Sequence, residues 1–153
     1  MKVYFLRHGE ADWPDWDRPD DERPLTKKGK KEMKRVADFL ADHDIIPAVI
    51  LSSPLPRAYQ TAEAVADRVD LEVSEEPSLA PGFDSKKLAA LLKQNAGQDV
   101  MLVGHEPSFS GVIAALTGGS VKLAKGAIAR VDVDDPEQMR GQLVWLITPK
   151  LVK

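Results

Sequence analysis

Two arginines and two histidines occupy positions where chemistry is expected. Arg7 and His8 follow directly on Val3-Tyr4-Phe5-Leu6, Arg57 comes after Ser52-Ser53-Pro54-Leu55-Pro56, and His105 closes Val100-Met101-Leu102-Val103-Gly104. Each group lies at the end of a short apolar run or in the first turn beyond one. The chain holds only three histidines, and two of them belong to this set. Guanidiniums and imidazoles brought together repel unless an anion joins them. A phosphoryl group suits that place, because arginine forks match its oxygens and each charge-assisted hydrogen bond is worth roughly 1.5–3 kcal/mol. With its ring neutral, His8 or His105 has a lone pair to attack phosphorus, while the other, protonated, would steady the charge.

The elements that must position these groups follow from the apolar pattern. A first strand is expected over residues 2–7, then a long loop over 9–25 in which Pro14, Pro19 and Pro24 exclude a continuous helix. A loop of this length is commonly functional. Thr26 is placed to cap a helix running to about residue 42, with Met33, Val36, Ala37 and Leu40 as its buried stripe. Val49-Ile50-Leu51 reads as a second strand, Ser53 as an N-cap and Pro54 as the first helical residue, so that Arg57 falls in the first turn. Leu71-Glu72-Val73 reads as an edge strand and residues 77–82 as a loop, followed by a helix with Leu88, Leu91 and Leu92 on one face. After the strand 100–103, Pro107 opens a helix carrying Phe109, Val112, Ile113 and Leu116, which stops at Gly118-Gly119. Residues 127–133 alternate, with Ile128, Arg130 and Asp132 on one face, and form a hairpin with 143–147 through 134–141. Strands alternating with helices predict an α/β protein: a three-layer α/β/α sandwich with a mostly parallel central sheet and an antiparallel C-terminal strand pair. Residues 1–153 are read as one domain.

Composition narrows the classes. The formal net charge is −3, which argues against nucleic acid as a partner. The chain has no cysteine, excluding disulfides and a thiolate nucleophile. No apolar run nears the ~18–20 residues of a membrane span, and the first run is too short for a signal-peptide core of roughly 7–15, so a cytoplasmic protein is expected. A metal held by His8, His105 and a glutamate is disfavoured, since the neighbouring arginines would repel a cation.

Arg7-His8-Gly9-Glu10, Arg23-Pro24-Leu25-Thr26 with Gly29, Ser52-Ser53-Pro54 with Arg57-Ala58 and Gln60-Thr61-Ala62, and Gly104-His105 together resemble the histidine phosphatase superfamily, which includes the phosphoglycerate mutases. The match spans residues 1–107 in order. The short chain and the Gly126-Ala127-Ile128-Ala129 strand most resemble the small SixA-type phosphohistidine phosphatases. The resemblance implies that His8 is the nucleophile that becomes phosphorylated and that Arg7, Arg57 and His105 hold the phosphoryl group. It also implies that no metal or other cofactor is needed. Arg23 could join them from the end of its loop, with Arg18 a weaker candidate.

One departure stands out. Many members of the family place a glutamate after a leucine mid-chain to protonate the leaving oxygen, whereas this chain has Ser78-Leu79-Ala80-Pro81-Gly82. A positioned general acid contributes roughly 10²–10⁴ in rate, so alkoxide leaving groups should suffer. An imidazole, with a reference pKa near 6.5, needs far less help. Glu10, Glu106 or His105 remain as other proton sources. The expected activity is a phosphatase working through a phosphohistidine intermediate, with a phosphorylated protein of the histidine-containing phosphotransfer type as substrate. Small phosphate monoesters, of sugar phosphate or nucleotide type, are the alternative. A catalytically silent phospho-ligand-binding module and a mutase stand further back.

Of the remaining features, His43 reads as a solvated or capping residue. Trp13 and Trp16 read as groups that pin the loop, and the run Lys27, Lys28, Lys30, Lys31, Lys34, Arg35 as a solvated helix face or a dock for an acidic partner.

Overall fold

The computed structural model describes residues 1–152. In chain order the main elements are β1 (Lys2–Arg7), α1 (Lys27–Asp42), β2 (Val49–Ser52), α2 (Pro56–Val69), β3 (Val73–Glu75), α3 (Ser85–Gln94), β4 (Val100–Gly104), α4 (Ser108–Thr117), β5 (Ile128–Asp135) and β6 (Arg140–Ile147). The strands form one sheet in the order β3-β2-β4-β1-β5-β6. β3, β2, β4 and β1 run parallel, β5 runs antiparallel to β1, and β6 runs antiparallel to β5.

Both faces of the sheet are covered, which is why β4 is buried along its whole length and β1 over Val3–Leu6. On one face Tyr4, Leu6, Ile50, Met101 and Val103 meet the stripes of α1 and α2. On the other, Val3, Phe5, Val100, Leu102, Ala129 and Val131 meet α3 and α4. Successive residues of β1 and β4 therefore feed opposite cores, as the period of two requires. This is the expected three-layer sandwich.

Helix α1 begins where anticipated: Thr26 is its N-cap, with Oγ1 accepting the Gly29 N–H at 3.0 Å, and Met33, Val36, Ala37 and Leu40 are buried. His43 is its C-cap, its Nδ1 2.8 Å from the Phe39 carbonyl. Gly118 ends α4 with φ 78°, the left-handed value that favours glycine.

Four expectations shift. Helix α2 starts at Pro56 with Leu55 as N-cap, not at Ser53-Pro54, because the Ser53 side chain is engaged elsewhere and Pro56 fits the first helical position equally well. Arg57 remains in the first turn. The edge strand lies at 73–75, since Asp70 closes α2 in the left-handed conformation and the chain first pairs with β2 at Val73. The chain after β3 is partly ordered as a 3₁₀ turn, Pro77–Leu79. The hairpin turn is shorter than 134–141, as β5 reaches Asp135 and β6 starts at Arg140.

Register fixes the site. Arg7 lies opposite Gly104 across β1 and β4, and Ser52 lies opposite Val103 across β2 and β4. Beyond the ladder the chains stay tied: His8 N–H donates to Gly104 O at 3.0 Å and Ser53 N–H to Val103 O at 2.9 Å. Loop 9–25 is fastened to α1 at Glu10, whose carbonyl accepts the Thr26 N–H at 3.0 Å and lies where a Cβ on Gly29 would fall. Gly29→Ala must push that carbonyl away. Urea unfolding is expected to show a loss of about 1–3 kcal/mol, the usual cost of overpacking.

Candidate active site

The carboxyl ends of β1, β4 and β2 lie side by side, the place where open α/β sheets bind ligands. His8 lies just beyond β1, His105 just beyond β4, and Arg57 in the first turn of α2. All three are buried. The His8 and His105 rings are 5.3 Å apart between centroids. Arg7, at the last position of β1, and Arg57 both act electrostatically on both histidines. The four residues singled out by their spacing are thus brought together.

Each cation has one visible anchor and one free edge. Arg7 donates from a terminal nitrogen to Leu123 O at 3.0 Å, and Arg57 to Asp20 O at 3.1 Å. Arg7 Nε, Arg57 Nε and His105 Nδ1 are buried with no hydrogen-bond partner in the protein. The two arginine nitrogens are donors that an oxyanion could take up.

Both histidines are held neutral. Burial lowers His8 to about 4; its bond to Gly9 O, the next-largest effect, opposes this, and the Arg57, Arg7 and Arg23 charges add to the lowering. Burial, followed by His8, Arg57 and Arg7, lowers His105 to about 3. In the anion-free protein neither ring is protonated at neutral pH. His8 Nδ1 is 2.8 Å from Gly9 O, an acceptor only, so Nδ1 carries the proton and Nε2 the lone pair. The backbone beside it is fixed on both sides, since Gly126 N–H donates to His8 O at 2.9 Å.

Loop 9–25 supplies the rim. Asp20 pairs with Arg23 at 2.8 Å and lies 3.6 Å from Arg57, a contact that the spacing of residues did not announce. Arg23 also donates to Ala11 O at 2.7 Å. It therefore stands beside the site, fastened to the loop. Arg18 is exposed and joins none of the loop's ion pairs among the described residues. Trp13 donates to Pro24 O at 2.9 Å and Trp16 to Pro19 O at 3.0 Å, pinning the loop as expected. Glu10 and Glu106 are engaged locally: Glu10 accepts from Asp12 N–H and Thr26, and Glu106 accepts the Ser110 N–H at 2.7 Å. The six basic residues of α1 are exposed.

Residues 3–80 match the histidine phosphatase superfamily (branch 1). Phosphohistidine phosphatase SixA of Escherichia coli (strain K12) is 32% identical, the alignment covering 97% of this chain and 94% of that protein. The chain belongs to the histidine phosphatase superfamily. Among solved members, the protein histidine phosphatase SixA complexed with tungstate superposes with a TM-score of 0.88 at 31% identity, covering 98% of both chains. A mutant phosphoserine phosphatase of Entamoeba histolytica shares the fold, with a TM-score of 0.76 at 18% identity over 97% of this chain and 98% of that one.

Burying neutral histidines in this superfamily site has a cost that grows in acid. The unfolded chain takes up protons on His8 and His105 near pH 6.5, while the folded chain does so only near 4 and 3. Between those limits the unfolded state binds more protons, so stability is full above about pH 6.5 and falls as pH drops. Urea midpoints measured from pH 7.5 to 4.5 are expected to decline, and to decline less steeply in His105→Asn.

Proposed function

We propose that this chain is a phosphatase in which His8 Nε2 takes a phosphoryl group from phosphohistidine in a protein and then gives it to water. The observation that carries the reading is the neutral His8, with Nδ1–H held by Gly9 O and Nε2 left as nucleophile, set beside Arg7, Arg57 and His105. In the first step the Nε2 lone pair forms a bond to phosphorus while the P–N bond of the substrate breaks, its electron pair returning to the departing imidazole. Positive charge developing on the His8 ring spreads to Nδ1–H, where the Gly9 carbonyl meets it. Arg7, Arg57 and His105 hold the phosphoryl oxygens throughout, with Arg23 as an added contact from the rim. In the second step water adds to phosphorus, the bond to His8 breaks, and the proton of the water passes to a phosphoryl oxygen.

The residues flanking the site bear on the leaving group. Ala80 stands after Leu79, and the Glu10 and Glu106 carboxylates are tied to their own surroundings. Imidazole exchanged for imidazole needs no general acid, whereas an alkoxide does. The SixA relatives, named for phosphohistidine, support the same substrate class. The guanidiniums supply the charge stabilisation, and a metal has no part in the scheme. Elements 1–152 gathered around one sheet support a single domain. Among the described residues no helix is long and apolar enough to cross a membrane, and the absence of cysteine suits the cytoplasm.

Rapid-quench labelling with a radiolabelled phosphohistidine phosphotransfer protein tests the intermediate: wild type is expected to carry an acid-labile label that His8→Ala lacks. The leaving-group argument is tested by comparing kcat/KM on that protein with kcat/KM on a simple alkyl phosphate. A ratio above about 10² in favour of phosphohistidine is expected. Faster turnover of the alkyl ester would remove the substrate assignment while leaving the His8 intermediate intact.

A further inference from the structure

Ser53 is fully buried at the end of β2, and its hydroxyl has two neighbours. Its Oγ is 3.2 Å from the Leu55 N–H, which can only donate, and 2.8 Å from His105 Nε2. The rest of Ser53 is fixed by the sheet and its neighbour, through its N–H to Val103 O at 2.9 Å and its carbonyl from Ser52 Oγ at 2.9 Å.

Counting donors and acceptors leaves one arrangement. Leu55 N–H consumes acceptor capacity of Ser53 Oγ, and the hydroxyl proton then has a single acceptor within reach, His105 Nε2. Were Nε2 protonated instead, a hydroxyl proton would be stranded in a residue with no access to water, a loss of about 1–3 kcal/mol. A neutral imidazole that accepts at Nε2 carries its proton at Nδ1. That nitrogen is buried and has no hydrogen-bond partner in the protein.

We infer that Ser53 is a positioning residue, whose hydroxyl holds His105 as the Nδ1–H tautomer so that a donor, and not a lone pair, faces the phosphoryl oxygens. This rests on the phosphoryl-transfer reading above for the identity of the anion, but the tautomer itself does not. The same serine joins two strand ends. Its backbone is bonded to β4 two residues before His105, and its side chain reaches the ring, so His105 is oriented from β2 as well as from its own strand.

The test is a long-range ¹H–¹⁵N correlation spectrum of the full chain with labelled histidine at neutral pH, where burial keeps His105 neutral. His105 is expected to show a protonated Nδ1 and an unprotonated Nε2. A protonated Nε2 in the wild-type spectrum overturns the inference with no variant needed. In Ser53→Ala the pattern should collapse toward the other tautomer, with binding of inorganic phosphate weakened about 10–100-fold, the equivalent of one hydrogen bond to a charged group. Ser53→Thr, which keeps the hydroxyl, should restore both readouts. An unchanged tautomer in folded Ser53→Ala sinks the role of the serine. Retention of turnover in His8→Ala would instead sink the proposed reaction and leave the tautomer result standing.

Discussion

The parallel register of β1, β4 and β2 is the constraint from which the rest of the site follows. It brings Arg7 opposite Gly104 and Ser52 opposite Val103, so three strand ends finish level and discharge their polar residues into one small volume. A slip of one residue along β4 would send Val103 and Leu102 to the wrong cores and turn the ends away from each other. The two hydrophobic clusters on either face resist that slip, and so the core determines where the basic groups lie. Their mutual repulsion is met by neutralising the histidines through burial and by anchoring the arginines, Arg7 on a backbone carbonyl and Arg57 on Asp20.

Much of this was legible in the sequence, for reasons that differ by element. The stripes of α1 and α4 and the run of β4 are local patterns, and local patterns survive folding when the core agrees with them. Arg7, His8 and His105 stood out at the ends of apolar runs, and Arg57 in the first turn beyond one. The start of α2 was misplaced because Ser53-Pro54 and Leu55-Pro56 are both good openings. The choice between them is made by a contact from Ser53 to His105, fifty-two residues away. Asp20 was missed as well, being one of several acids in its loop. Only the fold shows that this one reaches Arg57.

The loop acids add a second layer to the electrostatics. Asp20 touches Arg23 and approaches Arg57, and Asp12 pairs with Lys125 from beyond α4. These carboxylates stand at the rim, more exposed than the guanidinium of Arg57 that Asp20 approaches, and their attraction is weakened by solvent. A phosphoryl dianion would therefore meet Arg23 and Arg57 held by weak pairs and Arg7 held by a carbonyl. Its charge would also raise the proton affinity of the histidines, opposing the effect of burial and the guanidiniums.

The ties around His8 divide the labour of the molecule. Its N–H is bound to β4 and its carbonyl to Gly126, so the main chain at His8 is held from two sides. The loop 9–25 and the turn at 77–82, by contrast, lie outside the strand ladders. The proposed phosphoryl acceptor thus sits on backbone tied to a strand, whereas Ala80, where many family members have a glutamate, sits in a turn. Such a scaffold can acquire a new leaving group by exchanging a few residues near Ala80, while the way it seizes phosphorus stays as it is.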